Sequence, residues 1–236
     1  MSLEHKVAAL GRRWSLARPP EIVAAAVRDI FRGRVAVVSS FGAESAVLLH
    51  LVATVDPATP VVFIDTGRHF DETLAYRDRL TAHLGLSDLR VVGPAPEEVA
   101  RLDADNTRAV WDPDGCCAFR KIEPLRRALA GFDAWISGGK RFQAATRTSL
   151  SVFEADAPHV KVNPLAAWPA EEVEAYALSH QLPRHPLASQ GFLSIGCAPC
   201  TTAVRPGEHR RAGRWRSLEK TECGIHFPPP AGTDAQ

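Results

Sequence analysis

The chain has 236 residues, which suits one generous domain or two small ones and allows a substantial core without disulfide staples. Hydrophobic residues make up 45% and charged residues 23%, values typical of globular proteins that exclude a disordered or collagen-like chain as an overall description. With 28 Lys and Arg against 27 Asp and Glu, the net charge is +1, which argues against a protein that coats nucleic acid.

No apolar run approaches the ~20 residues that span a bilayer, and the N-terminus lacks the apolar core of a signal peptide. We therefore expect a cytoplasmic protein that does not bind membranes. In that reducing compartment, the five cysteines are expected to be thiols, metal ligands or catalytic groups rather than structural disulfides.

Short apolar, β-branched runs alternate with segments of helical periodicity. The predicted strands are Val35–Val38, Val61–Ile64, Leu89–Val92, Ala134–Ser137 and His159–Val162. The predicted helices are Pro20–Phe31, Glu44–Val52, Asp71–Leu84, Ile122–Leu129 and Ala170–Ser179. This alternation predicts an α/β fold, a parallel twisted sheet with helices on both faces. We expect a single domain over residues 1–236, in which 205–236 forms a C-terminal segment that ends in a flexible tail.

Three of the predicted strands end in polar or glycine-rich loops. The first runs into Ser39-Ser40-Phe41-Gly42-Ala43-Glu44-Ser45, whose backbone N–H groups suit an oxyanion, although an ordinary strand–helix turn explains the spacing equally well. The second ends in Asp65-Thr66-Gly67, where Asp65 can accept hydrogen bonds from a nucleoside or cap a helix. The fourth ends in Ser137-Gly138-Gly139-Lys140-Arg141. Because such loops meet at one edge of a parallel sheet, together they favour an anion or nucleotide site.

The cysteines fall into two pairs and one single residue. Cys116 and Cys117 are adjacent, and Cys197 and Cys200 form a C-x-x-C motif. Four thiolates in two pairs match a tetrahedral zinc or an iron–sulfur cluster about equally, with buried thiols or a redox motif as lesser alternatives. Cys223 stands apart between Lys220 and His226, where thiolate would be favoured, although an incidental exposed cysteine is the simpler interpretation of that residue alone.

Taken together, these motifs resemble the assimilatory adenylyl-sulfate and phosphoadenylyl-sulfate reductases, in the branch that carries an iron–sulfur cluster. The resemblance covers most of the chain, from about Ser39 to His226. Its pieces follow the family's order: Ser40-Phe41-Gly42-Ala43-Glu44-Ser45, Asp65-Thr66-Gly67, Cys116-Cys117 with Arg120-Lys121, Cys197-Ala198-Pro199-Cys200-Thr201, Arg211-Ala212-Gly213-Arg214-Trp215 and Glu222-Cys223-Gly224-Ile225-His226. The last segment, with both cysteine pairs, is the most specific part.

The resemblance implies an adenine-nucleotide α-hydrolase-like (PP-loop type) fold and a thioredoxin-dependent reduction of adenylyl sulfate to sulfite and AMP. Cys223 would attack the sulfur and become an S-sulfocysteine, with His226 as the second catalytic residue. A 4Fe-4S cluster would be held by Cys116, Cys117, Cys197 and Cys200. The substrate would be bound by Ser39, Ser40, Phe41, Gly42, Ser45, Asp65, Thr66, Gly67, Lys121, Gly139, Arg211 and Arg214. The resemblance leaves open whether the chain forms a homo-oligomer.

The sequence departs from the family pattern at Lys140 and Phe142, where arginine and glutamate are usual, and at Thr202, where arginine is frequent. Three alternatives stay open. One is specificity for the 3′-phosphorylated substrate. Another is an ATP-dependent tRNA-thiolating enzyme of the PP-loop type, which should keep an S-G-G-x-D-S loop. The third is a non-catalytic cluster or zinc module that binds nucleic acid through Arg205 to Arg216, a run that a solvated basic helix also explains.

Overall fold

The computed structural model describes residues 2–216, 218 and 220–225. Its helices are α1 (Leu3–Arg13), α2 (Pro19–Ala24), α3 (Ser45–Val55), α4 (Asp71–Leu84), α5 (Pro96–Leu102), α6 (Arg108–Trp111), α7 (Pro113–Cys117), α8 (Glu123–Ala128) and α9 (Ala170–Ser179). Its strands are β1 (Val35–Val38), β2 (Val61–Ile64), β3 (Leu89–Val92), β4 (Ala134–Ser137), β5 (Phe153–Asp156) and β6 (His159–Val162). None of these helices is long and apolar enough to cross a membrane.

The strands form one sheet in the order β3-β2-β1-β4-β6-β5, in which all neighbours are parallel except the β5–β6 pair. From β1 the chain adds β2 and then β3 on one side of the sheet. The later strands, β4, β5 and β6, lie on the other side of β1. The loops after β1 and β4 therefore diverge and leave a crevice at the carboxyl ends of these strands, which is where open α/β sheets bind ligands.

Helices cover both faces of the sheet, as predicted. On one face, the apolar side of α3 packs with Val37, Phe63 and other strand residues in the larger core cluster. On the other face, Leu125 and Leu129 pack with Trp135 in a smaller cluster, against which Ile225 also lies. Both clusters contain buried strand residues, so the sheet is closely packed on its two faces. It therefore provides a rigid base for the loops at its carboxyl edge.

All five predicted strands are present with the predicted bounds, as are α4 and α9. The other three predicted helices differ at their ends. α2 starts at Pro19 and continues as a π-helical segment over Ala25–Ile30, α3 starts at Ser45 and extends to Val55, and α8 is preceded by a π-helical segment over Ala118–Ile122.

Several elements lie outside the prediction. These are α1, α5, α6, α7 and the edge strand β5, which pairs antiparallel with β6 and makes the sheet mixed rather than fully parallel. β5 reads Phe-Glu-Ala-Asp, so it lacks the β-branched run that identifies the buried strands. Arg205 to Arg216 forms turns rather than a basic helix.

Candidate active site

A cleft of about 200 Å³ opens at the carboxyl ends of β1 and β4. One wall is the loop after β1, the opposite wall is the loop after β4, and the Leu193–Gly196 segment lies across them. Lys121 reaches the cleft from the π-helical segment after α7. Arg211, Arg214 and the C-terminal Glu222–Ile225 segment complete the lining. The crevice expected from the strand order is therefore a real cavity, and several cationic side chains line it.

The loop after β1 is held in an unusual conformation. Phe41 has a φ of +48°, which is uncommon for a bulky residue, and its backbone N–H donates to Ser39 Oγ at 3.1 Å. Its fully buried ring packs edge-on against Phe63, with centroids 5.6 Å apart. Anchoring this ring in the core turns the neighbouring Ser40 and Gly42 toward the cleft, so the strain is stored beside the cavity.

Next to α3, Lys140 in the cleft and Arg210 just outside it are two cations that are already paired. Both carboxylate oxygens of Glu44 are engaged: Oε2 accepts from Lys140 Nζ at 3.1 Å and Oε1 accepts from Arg210 Nη2 at 2.5 Å. Gln143 donates to the same carboxylate. Burial raises the pKa of Glu44, but Lys140 and Arg210 outweigh this effect and hold the pKa below its ordinary value. The unusual Lys140 thus serves an internal ion pair.

The two cysteine pairs come together on the other side of the cleft. Cys116 and Cys117 end α7, and Cys197 and Cys200 bound a 3₁₀ turn whose Ala198 N–H donates to Arg68 O at 2.7 Å. All five cysteines of the chain are free thiols, and among the four in pairs only Cys200 is partly exposed. Burial raises the pKa of Cys117 to about 11, and burial together with Cys197 and Cys200 raises the pKa of Cys116.

Cys197 differs from its three neighbours. Burial would raise its pKa, but Lys121 and a hydrogen bond with Thr66 Oγ1 at 3.3 Å reverse the shift and lower it. Within the described ranges, no three His, Cys, Asp or Glu side chains converge as they would around one metal ion. The four thiols are nevertheless electrostatic neighbours, because Cys197 raises the pKa of each of the other three.

A buried arginine fixes this cysteine region to the loop after β2. Arg120 and Asp103 are 3% and 1% exposed and are joined at 2.7 Å. The same guanidinium donates to Thr66 O at 2.8 Å. Since Arg120 lies three residues after Cys117, the hydrogen bond to Thr66 ties the first cysteine pair to the residue that contacts Cys197, and the ion pair with Asp103 holds the guanidinium in place.

Of the Lys and Arg side chains that line the cleft, Lys121 and Arg214 are those without a carboxylate partner among the residues that can be described. The ammonium group of Lys121 loses solvation, which would lower its pKa, but Cys197, Cys223 and Cys117 raise the pKa above its ordinary value. Arg214 stacks over the Trp215 ring at 4.2 Å, and its buried Nε has no hydrogen-bond partner in the described part. These two groups can therefore receive an anion.

The catalytic cysteine predicted from the sequence lines the same cleft. Cys223 is partly exposed and lies close enough to Lys121, Cys117 and Arg211 to affect their pKa values. Burial lowers the pKa of Arg211 to about 10, with Glu222 and Cys223 acting in the opposite direction. The cleft thus brings a thiol, a lysine and two arginines together.

The predicted substrate residues divide into two groups. Those that line the cleft are Ser39, Ser40, Gly42, Ser45, Lys121, Gly139, Arg211 and Arg214. Phe41, Asp65, Thr66 and Gly67 do not line it: Phe41 is in the core, Asp65 Oδ1 accepts from Gly67 N at 2.9 Å, and Thr66 contacts Cys197. His226 lies outside the described residues.

Sequence reasoning missed Arg147 and assigned no individual role to Glu222. Arg147 lines the cleft and makes a two-pronged ion pair with Glu222, with both distances at 2.7 Å. No spacing in the sequence identifies Arg147, since its partner lies 75 positions away. Glu222 adjoins Cys223 in the motif quoted above, which was its only signal.

A family model described as the phosphoadenosine phosphosulfate reductase domain matches residues 34–203. This match spans all six strands of the sheet and both cysteine pairs. The chain belongs to that family. The matched part ends before Arg211, Glu222 and Cys223, so the C-terminal side of the cleft lies outside this model.

Curated relatives extend the similarity over nearly the whole chain. An adenosine 5′-phosphosulfate reductase of Mesorhizobium japonicum is 48% identical over 222 residues, covering 94% of this chain and 87% of the relative. One from Chelativorans is 52% identical over 196 residues, covering 83% and 80%. A phosphoadenosine 5′-phosphosulfate reductase of Gloeobacter violaceus is 45% identical, covering 95% and 93%.

Solved structures support the fold of the family. The phosphoadenylyl-sulfate reductase of Candida auris, in a phosphate complex, superposes with a TM-score of 0.72 at 26% identity, covering 86% of this chain and 98% of that one. The FMN adenylyltransferase of Candida glabrata reaches a TM-score of 0.56 at 16% identity, covering 94% of this chain and 79% of that one, which shows a shared fold alone. The predicted α/β fold of PP-loop type is confirmed.

Proposed function

We propose that the chain reduces adenylyl sulfate to sulfite and AMP in sulfate assimilation, with Cys223 as the nucleophile and thioredoxin or a similar dithiol protein as the reductant. The observation that carries this proposal is the position of Cys223, which lies beside Lys121 and Arg211 in the cleft. Close relatives named adenosine 5′-phosphosulfate reductase support the choice of substrate.

The proposed chemistry has two steps. The Cys223 thiolate attacks the sulfur of adenylyl sulfate, an S–S bond forms, the bond from sulfur to the bridging oxygen breaks, and AMP leaves with that electron pair. One thiol of the dithiol protein then attacks Cys223 Sγ and expels sulfite, and its second thiol resolves the mixed disulfide. The dithiol is oxidised to a disulfide, the sulfate-level sulfur is reduced by two electrons, and Cys223 is regenerated as a thiol.

Fixed cations make the first step feasible. The phosphosulfate is anionic and the attacking thiolate adds a further negative charge, so the two repel each other. Lys121 and Arg214, which carry no carboxylate partner in the described part of the chain, would offset that repulsion and stabilise the charge that develops on AMP. Arg211 would contribute in the same way. The loop from Ser39 to Ser45 would hold the adenylyl part.

The cysteine pairs fit an iron–sulfur cluster. They provide four thiols, neither pair is joined by a disulfide, and three of the thiols are buried. A cluster binds each thiolate through a different iron, so it does not need the tight convergence that one metal ion needs. Cys116, Cys117, Cys197 and Cys200 would hold a 4Fe-4S cluster, which would supply a fixed charge beside Lys121. We propose that this chain needs the cluster for charge and order at the site.

The deciding experiment measures sulfite release from adenylyl sulfate by the purified, cluster-loaded protein with thioredoxin and its reducing system. We expect sulfite and AMP in equal amounts. We also expect sulfite release to depend on the dithiol protein, which the enzyme would encounter in the cytoplasm. The 3′-phosphorylated substrate is assayed in parallel, because one relative is named for it. Absence of sulfite from both substrates would rule the proposal out, and ATP-dependent adenylation of another substrate would favour the tRNA-thiolating alternative.

A further inference from the structure

The segment that carries Cys223 is attached to the rest of the protein in an unusual way. Its described backbone hydrogen bonds are local, from Leu218 N to Trp215 O and from Lys220 N to Leu218 O, both at 2.8 Å. Neither reaches the sheet or a helix. The segment can therefore leave the cleft without breaking any described backbone hydrogen bond of the sheet or helices.

Charged side chains hold the segment in place instead. Glu222 is 5% exposed and lies against Arg147, which is 8% exposed. Arg147 Nε and Nη2 donate to the two oxygens of Glu222 at 2.7 Å each, the planar two-pronged geometry that arginine and carboxylate favour. Arg211 Nη2 donates to the same carboxylate at 3.1 Å and to Thr221 O at 2.6 Å.

Beyond the contacts of Thr221 and Glu222, the segment is held at three further residues, Lys220, Gly224 and Ile225. The Lys220 side chain is itself only 7% exposed and pairs with the highly exposed Asp114, whose charge water screens, and it also approaches Pro113 O at 3.5 Å, a long hydrogen bond. Ile225 packs on the smaller core cluster, and Gly224 adopts a φ of +82° with the Ile122 side chain close by. Glu222 therefore makes the most buried and most directional contact of the segment, one residue away from Cys223.

Arg147 itself is fixed independently of the segment. Its Nη1 donates to Gln143 Oε1 at 2.7 Å, and Gln143 in turn donates to Glu44. The guanidinium is therefore already oriented by the loop after β4 when Glu222 arrives. A preorganised receptor lowers the entropic cost of docking and fixes the angle at which the segment enters.

We propose that the Glu222–Arg147 ion pair is the latch that docks the Cys223 segment in its attacking position, which makes Glu222 and Arg147 positioning residues for sulfonate transfer. The inference deepens the proposed function and rests on it for its kinetic part. When the latch opens, Cys223 leaves the cleft and becomes accessible to a protein dithiol. Closing favours the first chemical step, and opening favours the second.

The first test needs no substrate. The rate at which iodoacetamide alkylates Cys223 in the cluster-loaded protein is followed by peptide mass spectrometry. Removing a buried, charge-assisted pair should shift the equilibrium toward the open form by about tenfold to a hundredfold, so Glu222→Gln and Arg147→Met should each alkylate at least about tenfold faster than wild type. Glu21→Gln, which alters an exposed pair with Arg18, is the matched control and should alkylate at the wild-type rate.

The double variant Glu222→Gln/Arg147→Met sharpens the test. If the two residues act as one latch, the double variant should alkylate no faster than the faster single variant, because the pair can be broken only once. Alkylation rates that multiply, or single variants that react at the wild-type rate, would overturn the latch. Unchanged visible absorption and an unchanged unfolding midpoint for each variant show that the fold and cluster are intact. A variant that loses either is replaced by Glu222→Asp, which shortens the reach but keeps the charge and should show an intermediate rate.

The second test separates the two half-reactions. In a single turnover without reductant, AMP release by Glu222→Gln should be at least about tenfold slower than in wild type, with the concentration of substrate at half-saturation little changed. Sulfite release from the preformed adduct with thioredoxin should be as fast as in wild type or faster. A slower second step would show that Glu222 does not merely dock the segment. Wild-type protein that releases no AMP contradicts the proposed function, whereas the alkylation result still decides the latch.

Discussion

Cations lie near both ends of the cleft, but the two ends differ in how those cations are paired. Next to α3, Lys140 and Arg210 are both bound to Glu44, a residue fixed at the start of a helix. Next to the cysteines, Lys121 and Arg214 have no carboxylate partner within residues 2–216, 218 and 220–225. Arg147 and Arg211 are paired there, but with Glu222 on the C-terminal segment.

This difference explains how one cleft can both bind an anionic substrate and direct its chemistry. A cation paired with a fixed carboxylate cannot easily accept a second anion, because the substrate would have to displace a buried partner. A cation without such a partner is ready to stabilise new negative charge. The arrangement therefore assigns reaction chemistry to the cysteine end and structural pairing to the α3 end, and four predictions test this division.

The largest effect is expected at Cys223. We predict that Cys223→Ser keeps the brown colour that an iron–sulfur cluster gives the protein and still binds adenylyl sulfate. It should release no measurable sulfite with thioredoxin, because a serine hydroxyl is a far weaker nucleophile than a thiolate. Wild-type protein mixed with substrate in the absence of reductant should accumulate a sulfonate on Cys223, detected by peptide mass spectrometry. An adduct on another cysteine, or normal turnover by the serine variant, would place the chemistry elsewhere.

Removing a cluster ligand should have the next largest effect. We predict that Cys200→Ser bleaches the protein and lowers its activity, because three thiolates hold a four-iron cluster poorly and the order around Lys121 is lost. Iron content and visible absorption provide the measurement, and Cys223→Ser, which should keep its colour, provides the control. Colourless wild-type protein that is fully active and contains stoichiometric zinc would show that the four cysteines hold zinc rather than an iron–sulfur cluster.

The arginines compare the two ends directly. We predict that Arg214→Ala or Arg211→Ala lowers kcat/KM by about ten- to hundredfold, since a charge-assisted hydrogen bond contributes roughly 1.5–3 kcal/mol. Arg210→Ala removes the same charge from the α3 end, where it is already paired with Glu44, and should change kcat/KM by less than about threefold. Equal losses in Arg210→Ala and Arg214→Ala would remove the distinction between the two ends.

Much of the fold is readable from the sequence because each buried strand is a short β-branched run between turn signals. β5, by contrast, is a half-exposed edge strand stabilised by its pairing with β6, so its own residues carry little signal. The π-helical segment before α8 was missed for a similar reason, since helical periodicity does not distinguish it.

The site was predictable where motifs lie on strand-end loops, because strand order brings those loops together. The ion pairs were not predictable: Glu44–Lys140 and Arg147–Glu222 join residues 96 and 75 positions apart, and neither pair has a periodic pattern. Asp65 follows a buried strand, where ligand-binding residues are often found. Its carboxylate nevertheless accepts from the Gly67 N–H and does not line the cleft. Its role in binding substrate stays a prediction.

The smallest effect concerns the choice between two substrates. We predict that the wild-type protein has a higher kcat/KM for adenylyl sulfate than for its 3′-phosphorylated form. Glu44 contributes to this preference, because its carboxylate neutralises Lys140 and Arg210, which could otherwise attract a further phosphate. In Glu44→Gln the two cations lose their counter-charge, so the preference should narrow by about two- to tenfold.

Steady-state kinetics with both substrates measures this ratio, and Glu21→Gln serves as the matched control at an exposed pair. The ratio is the appropriate quantity, because a general loss of stability in Glu44→Gln would lower both rates together and leave it unchanged. A wild-type preference for the 3′-phosphorylated substrate would refute the assignment to adenylyl sulfate. An unchanged ratio in Glu44→Gln would show that the α3 end does not select between the substrates, so that selection must arise elsewhere in the cleft.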